Sequence, residues 1–351
     1  MNPDPDAPRP SARPTSAEVA RLAQVSRTTV SFVLNGVTDR GISEATRQRV
    51  LEAALRLGYE PNAAARALAG GASGSIALVL PSVQHLQVDA FLAQLLASVS
   101  ASCQASGLKL LIETSEGHAP GDFVRLVRSR RIDGLIVAHL RTAELAHLQQ
   151  LRDSGVPLVV LGCGLAADAG LVAIGDDSGP SARLAVRHLL ALGHRRIGFV
   201  NYAPASFHQA AQREQGWRQA LQEAGISAPD DWRVHADISA DSGWRATQAL
   251  LARGGGLTAL FAGNDTIAFG ALRALREAGL RVPQDMALIG YDDIPLAAFA
   301  EPPLSSVRSD PAAQGRHAVA RLRQALGLAD HGALPPLPAP SLVLRDSCGG
   351  R

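Results

Sequence analysis

The sequence predicts an α/β protein: an N-terminal all-α helix-turn-helix head with a short connecting helix, then a two-subdomain core of doubly wound parallel sheets. Three observations carry this expectation. Residues 15–60 hold three short amphipathic helices with cap signals. From Ser75 onward, short apolar runs alternate with helical stretches, the pattern of parallel strands buried on both faces. That alternation runs through two separate series, which implies two subdomains, and 351 residues suffice for two or three domains.

The head begins with Thr15 and, three residues on, Glu18, which together make a capping box. Val19, Ala20, Leu22 and Ala23 give the first helix an apolar face. Gln24-Val25 turns the chain, and Ser26 caps a second helix whose inner positions are Val30, Val33 and Leu34. Asn35-Gly36 stops it. Ser43 opens a third helix that carries Val50, Ala54 and Leu57 and ends at Gly58. Two short helices joined by a tight turn and braced by a third make the helix-turn-helix plan, which sets the second helix in the DNA major groove. The start of that helix offers Arg27, Thr28, Thr29 and Ser31, side chains that reach base edges or phosphates. Phe32 is expected on the same outer face, where a thymine methyl would suit it. The competing reading is that these residues only solvate an exposed face.

The stretches VARLAQVSRTTVSFVLNG and ISEATRQRVLEAALRLGYEPNAAARAL resemble the lactose/galactose repressor (LacI/GalR) family, and the likeness extends over residues 15–346. The resemblance implies DNA contacts by Thr15, Ser26, Arg27, Thr28, Thr29, Ser31, Phe32 and Asn35. One departure is Gln24, at a turn position where the family often has Gly; if the backbone there is left-handed, Gln costs about 1–2 kcal/mol.

Residues 61–74 hold a run from Ala63 to Leu68 of high helix propensity, cut off by Ala69-Gly70-Gly71. So short a helix is marginal alone. By composition it is equally a plain linker. The family resemblance implies a hinge helix that folds on the operator, with Asn62, Ala65 and Arg66 near the DNA and Leu68 as an apolar wedge in the minor groove.

In the core, strands are expected at Ile76–Leu80, Leu108–Ile112, Leu135–Val137, Val156–Leu161, Val172–Ile174, Ile197–Val200, Ala259–Phe261 and Ala287–Ile289. Helices are expected at Phe91–Ser106, Asp122–Arg130, Ser178–Leu192, Gln212–Ala224, Gly243–Ala252 and Thr266–Glu277. Ligands bind such sheets at the carboxyl ends of the strands, and a cleft between two subdomains is the usual place. The core resembles periplasmic sugar-binding proteins. Candidate effector residues follow strands or open helices: Asp176, Arg213, Asn264 and Asp292. Carboxylates, an amide and a guanidinium suit a polyhydroxylated ligand, whose hydroxyls both donate and accept. The resemblance implies that Arg213, Asp292 and Asn264 are effector contacts. It also points to Phe91, the remnant of an aromatic pair, and to Ile238, where relatives often place a stacking aromatic. Asp265 and Asp293 are read as cap or loop residues; His85, His139, Arg141 and His208 sit on plausible cleft loops and are read as solvated residues, with ligand contact the alternative.

The expected boundaries are a disordered tail at 1–14, the head at 15–60, hinge and linker at 61–74, the core at 75–346 and a tail at 347–351. Within the core, one subdomain takes about 75–173 plus 305–328, and the other about 174–304 plus 329–346.

Composition narrows the function. The net charge is only +2, yet residues 13–70 carry eight arginines against five carboxylates, an excess where DNA would lie. Lys109 is the sole lysine, so phosphate contacts fall to arginines, hydroxyls and amides. Cys103, Cys163 and Cys348 have no metal-ligand spacing, and no metal or cofactor is expected. No apolar run reaches transmembrane length and no leader peptide is recognisable, which points to the cytoplasm. Gly162-Cys163-Gly164-Leu165-Ala166-Ala167 satisfies a loose dinucleotide pattern, but no helix directly follows it. An NAD(P)-binding enzyme and an exported solute-binding protein are the alternatives. The preferred reading is not an enzyme. It is a homodimeric transcriptional regulator, expected to repress, that binds a near-palindromic operator and answers to a small molecule, expected to be a sugar or sugar derivative, with a nucleoside or other small metabolite as the alternative.

Overall fold

The computed structural model describes residues 14–34, 40–59, 72–114, 125–127, 131–162, 169–175, 177–328 and 332–350. Residues 1–13 of the tail expected at 1–14, Asn35, the hinge residues Asn62, Ala65, Arg66 and Leu68, the effector candidate Asp176 and most of the dinucleotide-like loop lie outside these. The chain divides into two compact units, 1–73 and 74–351.

In the first unit, α1 (Ser16–Ala23) starts at the expected capping box: the Glu18 amide donates to Thr15 Oγ1, and the Thr15 amide donates to the Glu18 carboxylate at 2.7 Å. It ends at Gln24 in the left-handed region, with φ 55° and ψ 48°. The strain anticipated for a Gln at this turn is therefore present. In α2 (Arg27–Leu34), the Ser26 hydroxyl accepts from the Thr29 amide at 3.0 Å. α3 (Glu44–Leu57) is capped by Ser43 and closed by left-handed Gly58. Val19, Ala20, Ala23, Val30, Val33, Val50, Ala53 and Ala54 form the buried core of the three helices. So small a core leaves little stability in reserve, so the caps matter.

The second unit has two lobes. The first sheet comprises β1 (Ser75–Leu80), β2 (Lys109–Thr114), β3 (Gly134–Val137), β4 (Leu158–Leu161) and β5 (Ala173–Ile174), all parallel, in the order β2-β1-β3-β4-β5. The second comprises β6 (Ile197–Asn201), β7 (Arg233–His235), β8 (Ala259–Ala262), β9 (Ala287–Asp292), β10 (Ser305–Arg308) and β11 (Ser341–Val343), in the order β11-β10-β9-β8-β6-β7. Only β11 runs antiparallel. β1, β3, β4, β6, β8 and β9 are buried along their whole length, which is why they read as continuous apolar runs.

Helices cover both faces of each sheet. On the first, α5 (Ala90–Ala105) and α11 (Pro311–Ala325) pack together, with α6 (Leu145–Asp153) opposite. On the second, α7 (Ser178–Ala191) and α8 (His208–Glu223) cover one face, and α9 (Ala240–Ala252) and α10 (Asp265–Glu277) the other. Gly270 of α10 lies so near the α9 backbone that a Cβ there would strike Ala240 O and Trp244 N. A further short helix, α4 (Val83–Val88), occupies what the sequence presented as a loop.

Two boundaries differ from expectation. Residues 305–308 were assigned to the first lobe, but β10 pairs with β9 in the second sheet, so the chain crosses after Arg308. Leu337 packs against the first lobe's core, so the return crossing comes late, shortly before β11. The expected tail at 347–351 is also partly structural: Ser347 and Cys348 are buried, and the Ser347 hydroxyl donates to Leu288 O at 2.6 Å.

Candidate functional sites on the head and in the interlobe cleft

On α2 the apolar spacing turns Val30 and Val33 inward, which leaves Arg27, Thr28 and Ser31 exposed. Thr29 is half-buried, its hydroxyl 2.9 Å from that of Ser26. Thr15 and Ser26 are exposed, with their side-chain oxygens engaged as helix caps. Phe32 lies outside the head's apolar core, four residues on from exposed Thr28. It is half-buried, and the Arg40 guanidinium lies over its ring at 5.4 Å, a cation–π contact.

In the core, side chains from the carboxyl ends of strands in both lobes meet in one cleft. Arg213 of α8 is its centre and is buried. Its guanidinium lies over the ring of Tyr291 at 3.6 Å and that of Tyr202 at 4.6 Å. It donates to Gly263 O, and its Nη2 is 3.6 Å from Asp292 Oδ1. Asp292, at the end of β9, has φ 104°, a strained conformation for a non-glycine residue and one met at functional sites. Asn264 follows β8 and is buried, but its side-chain oxygen accepts from the Ile267 amide at 2.8 Å and so caps α10. Ile238 is sealed within the second lobe's apolar core, and its amide donates to Tyr202 O at 2.7 Å. It thus offers no open surface for stacking, contrary to expectation, and instead holds the backbone that carries Tyr202.

The first lobe contributes Asp89, Phe91 and His139. Asp89 caps α5 through the Phe91 amide at 2.9 Å. Its burial pushes the carboxyl pKa up, against the pull of that amide, the Leu92 amide and the Arg213 charge. His139, expected as a solvated loop residue, is only 8% exposed. It takes a positive φ of 54°, and its ring meets Phe91 edge-on at 6.3 Å and Tyr202 at 5.9 Å. Burial, helped by the charges of Arg213 and His85, pushes its pKa down to about 3, so the ring is neutral at physiological pH. Burial likewise pushes the Tyr202 phenol up to about 12. Neither ring nitrogen of His139, nor the Tyr202 hydroxyl, has a hydrogen-bond partner among the described residues. Such orphaned groups cost about 1–3 kcal/mol each.

The neighbouring acids serve structure. Asp265 accepts from the Ser306 hydroxyl at 2.6 Å and the Ile294 amide at 2.8 Å. Asp293 pairs with Arg308 and Arg345, both at 2.7 Å. At the rim the lobes are clasped. Thr266 donates to Val88 O at 3.3 Å, the His208 amide to Leu140 O at 2.9 Å, and His85 lies 3.5 Å from Asp237. Arg141 lies over Phe207 at 4.8 Å. The structure thus brings Phe91, Arg213, Asn264 and Asp292 to one cleft. It adds Asp89, Tyr202 and Tyr291, which the sequence did not single out, and His139, which was read as a solvated residue of a cleft loop. The one available signal was position, since His139 and Tyr202 each follow a buried strand within two residues.

A helix-turn-helix head on a two-lobed core with a polar interlobe cleft defines a class: a DNA-binding module coupled to a periplasmic-binding-protein-like fold. Residues 15–62 match the model of bacterial regulatory proteins of the lacI family, and residues 186–348 that of the periplasmic binding protein-like domain. The HTH-type transcriptional repressor PurR of Klebsiella pneumoniae (strain 342) is 36% identical over 301 residues, 84% of each chain. The chain belongs to the lacI family and is a DNA-binding transcriptional regulator. Among solved structures, the lac repressor dimer bound to operator and the anti-inducer ONPF is 29% identical with a TM-score of 0.80, covering 96% of this chain and 99% of that one. The transcriptional regulator CelR–cellobiose complex is 32% identical with a TM-score of 0.67, covering 95% and 100%.

Proposed function

We propose that the protein represses transcription by binding a near-palindromic operator as a homodimer, and that a small molecule in the interlobe cleft controls this binding. The observation that carries the DNA reading is the exposure of Arg27, Thr28 and Ser31 on one face of α2, above a buried Val30–Val33 seam. Arg27 and Thr28 read base edges; Thr15, Ser26, Thr29, Ser31 and Asn35 position the helix on the backbone. Phe32, beside Thr28 on the same helix face, meets a thymine methyl. On the strength of the family resemblance, Asn62, Ala65, Arg66 and Leu68 form the hinge segment, with Leu68 as the wedge. Two copies are expected, because Leu296 and Phe299 stand 60% and 84% exposed on the turn after β9, an apolar pair suited to a subunit contact. The lac repressor dimer with this fold supports that reading. The lacI-family head supports a cytoplasmic regulator rather than an enzyme or exported binding protein. No helix among the described residues is long and apolar enough to cross a membrane.

The effector is a sugar or sugar derivative, held by Arg213, Asp292 and Asn264 from the second lobe and Phe91 from the first. Asp176 joins them on its sequence position alone, and Ile238 acts only by supporting Tyr202. A ligand shifts the interlobe angle only through differential affinity for two states. Binding selection on randomised DNA, followed by a metabolite screen with calorimetry on wild type and Asp292→Ala, tests both halves. The expected outcome is one enriched palindrome and a ligand whose affinity collapses in Asp292→Ala. Equal affinity in both proteins would place the site elsewhere.

A further inference from the structure

Two buried side chains in the cleft face each other from opposite lobes, and their polar atoms bond nothing among the described residues. His139 lies two residues past β3, and Tyr202 directly past β6. Their rings meet at 71°, with centroids 5.9 Å apart. His139 is 8% exposed and Tyr202 1%. Among the described residues both imidazole nitrogens and the phenol oxygen are unpartnered, and a fold keeps such groups only where something else bonds them.

The surroundings restrict what that is. Arg213 faces the Asp292 carboxylate and Gly263 O, and Asp89 adds a further carboxyl. One guanidinium thus stands against two carboxyls around the pair, a balance that disfavours a phosphate or carboxylate. Tyr202 and Tyr291 each turn a ring face to Arg213, and Ile238 is sealed in the core, which leaves Phe91, set edge-on to His139, without an opposed aromatic face to sandwich a planar base. A neutral imidazole offers one donor and one acceptor, and a phenol offers both. Adjacent hydroxyls on one ligand satisfy the two together.

We propose that His139 and Tyr202 form a cross-cleft pair of polar contacts that binds an uncharged, hydroxyl-bearing ligand and sets its specificity. The inference rests on the cleft being the effector site. Because the pair spans both lobes, a ligand that engages it favours the arrangement in which the two residues are close.

The test uses the full chain, thermal shift and calorimetry. The probes are ribose, glucose, galactose and cellobiose, then glucose 6-phosphate, glucuronate and hypoxanthine. One neutral saccharide is expected to bind at least tenfold more tightly than every charged or planar probe. His139→Phe and Tyr202→Phe, which keep the ring contacts, should each weaken it at least tenfold. His139→Gln, which retains a donor and an acceptor, should recover part of the loss. Unchanged far-ultraviolet circular dichroism and cooperative unfolding of the variants separate this from misfolding. A charged or planar probe as tightest binder, silence from every saccharide, or unaltered affinity in both phenylalanine variants overturns the proposal. If the bound probe is lost in Asp292→Ala but not in those variants, the pair is wrongly assigned and the cleft stands. If Asp292→Ala leaves it bound, the cleft reading falls as well.

Discussion

The exposed face of α2 and the wall of the interlobe cleft present their polar groups in opposite physical settings. Arg27, Thr28 and Ser31 stand in water, above an apolar seam that folds without them. Arg213, Asp292 and His139 are buried, and each is held by neighbours from other elements. On α2, therefore, recognition and stability are separable, because a solvated side chain contributes little to folding. In the cleft they are not, because a buried charge that loses its partner destabilises the fold itself.

The sharpest way to break this contrast is Arg213→Ala. It strands the Asp292 carboxyl and empties the space between two tyrosine rings, so urea unfolding of the core should show a loss of about 3–5 kcal/mol. A loss under about 1 kcal/mol would mean the cleft tolerates unpaired charge as the surface does. Arg27→Ala is the counterpart: about 1–3 kcal/mol off operator binding and an altered preferred sequence, with unfolding changed by no more than about 0.5 kcal/mol. An unaltered preferred sequence would leave Arg27 a phosphate contact.

Acid should single out the cleft next. The unfolded His139 titrates near 6.5 and the folded one at about 3. The folded state thus favours the neutral ring: His139 costs nothing above pH 6.5, and stability falls as pH drops from 6.5 towards 3. At pH 5 the difference amounts to about 2 kcal/mol. Unfolding of His139→Phe at pH 7 and pH 5 should lack this component; an identical pH slope in both proteins would refute the buried neutral imidazole. The smallest effect belongs to the head. Gln24→Gly relieves the left-handed turn and should raise the head's stability by up to about 1 kcal/mol, after glycine's own entropic cost. Thermal unfolding of the isolated 14–73 segment measures it, and a lower midpoint would show that Gln24 gains more from its surroundings than its backbone loses.

How far each region was legible follows from the same contrast. Thr15–Glu18, Ser26 and Ser43 act over three residues or fewer, so the caps could be placed from local sequence. The apolar runs of β1, β6 and β8 announced buried parallel strands. The period of α2 separated exposed Arg27, Thr28 and Ser31 from buried Val30 and Val33, but the Arg40 guanidinium over Phe32 comes from beyond the helix and could not be read locally. In the cleft, Arg213 and Asp292 were picked out by their places after a strand or at a helix start and by the family resemblance, whereas His139 was read as a solvated cleft-loop residue and Tyr202 was not named. Their significance depends on residues 63 positions apart meeting across two lobes, and nothing in either local sequence records that. Ile238 misled for the same reason: its place in the chain suggested a stacking position, while tertiary packing directs it into the core. The lobe boundary at 305 was misplaced because a crossing strand carries no local mark of which sheet it joins.

The routing of the chain bears on how such proteins diversify. Each lobe is assembled from separated segments, with crossings after Ile174, after Arg308 and before Ser341, while the head ends at a single joint near Ser73. One recombination event at that joint can pair an operator preference with a new effector core. Exchanging one lobe for another would require several coordinated breakpoints, with every strand register preserved. DNA preference and ligand preference are therefore free to be inherited as two cassettes, but the two walls of the cleft must change together, residue by residue.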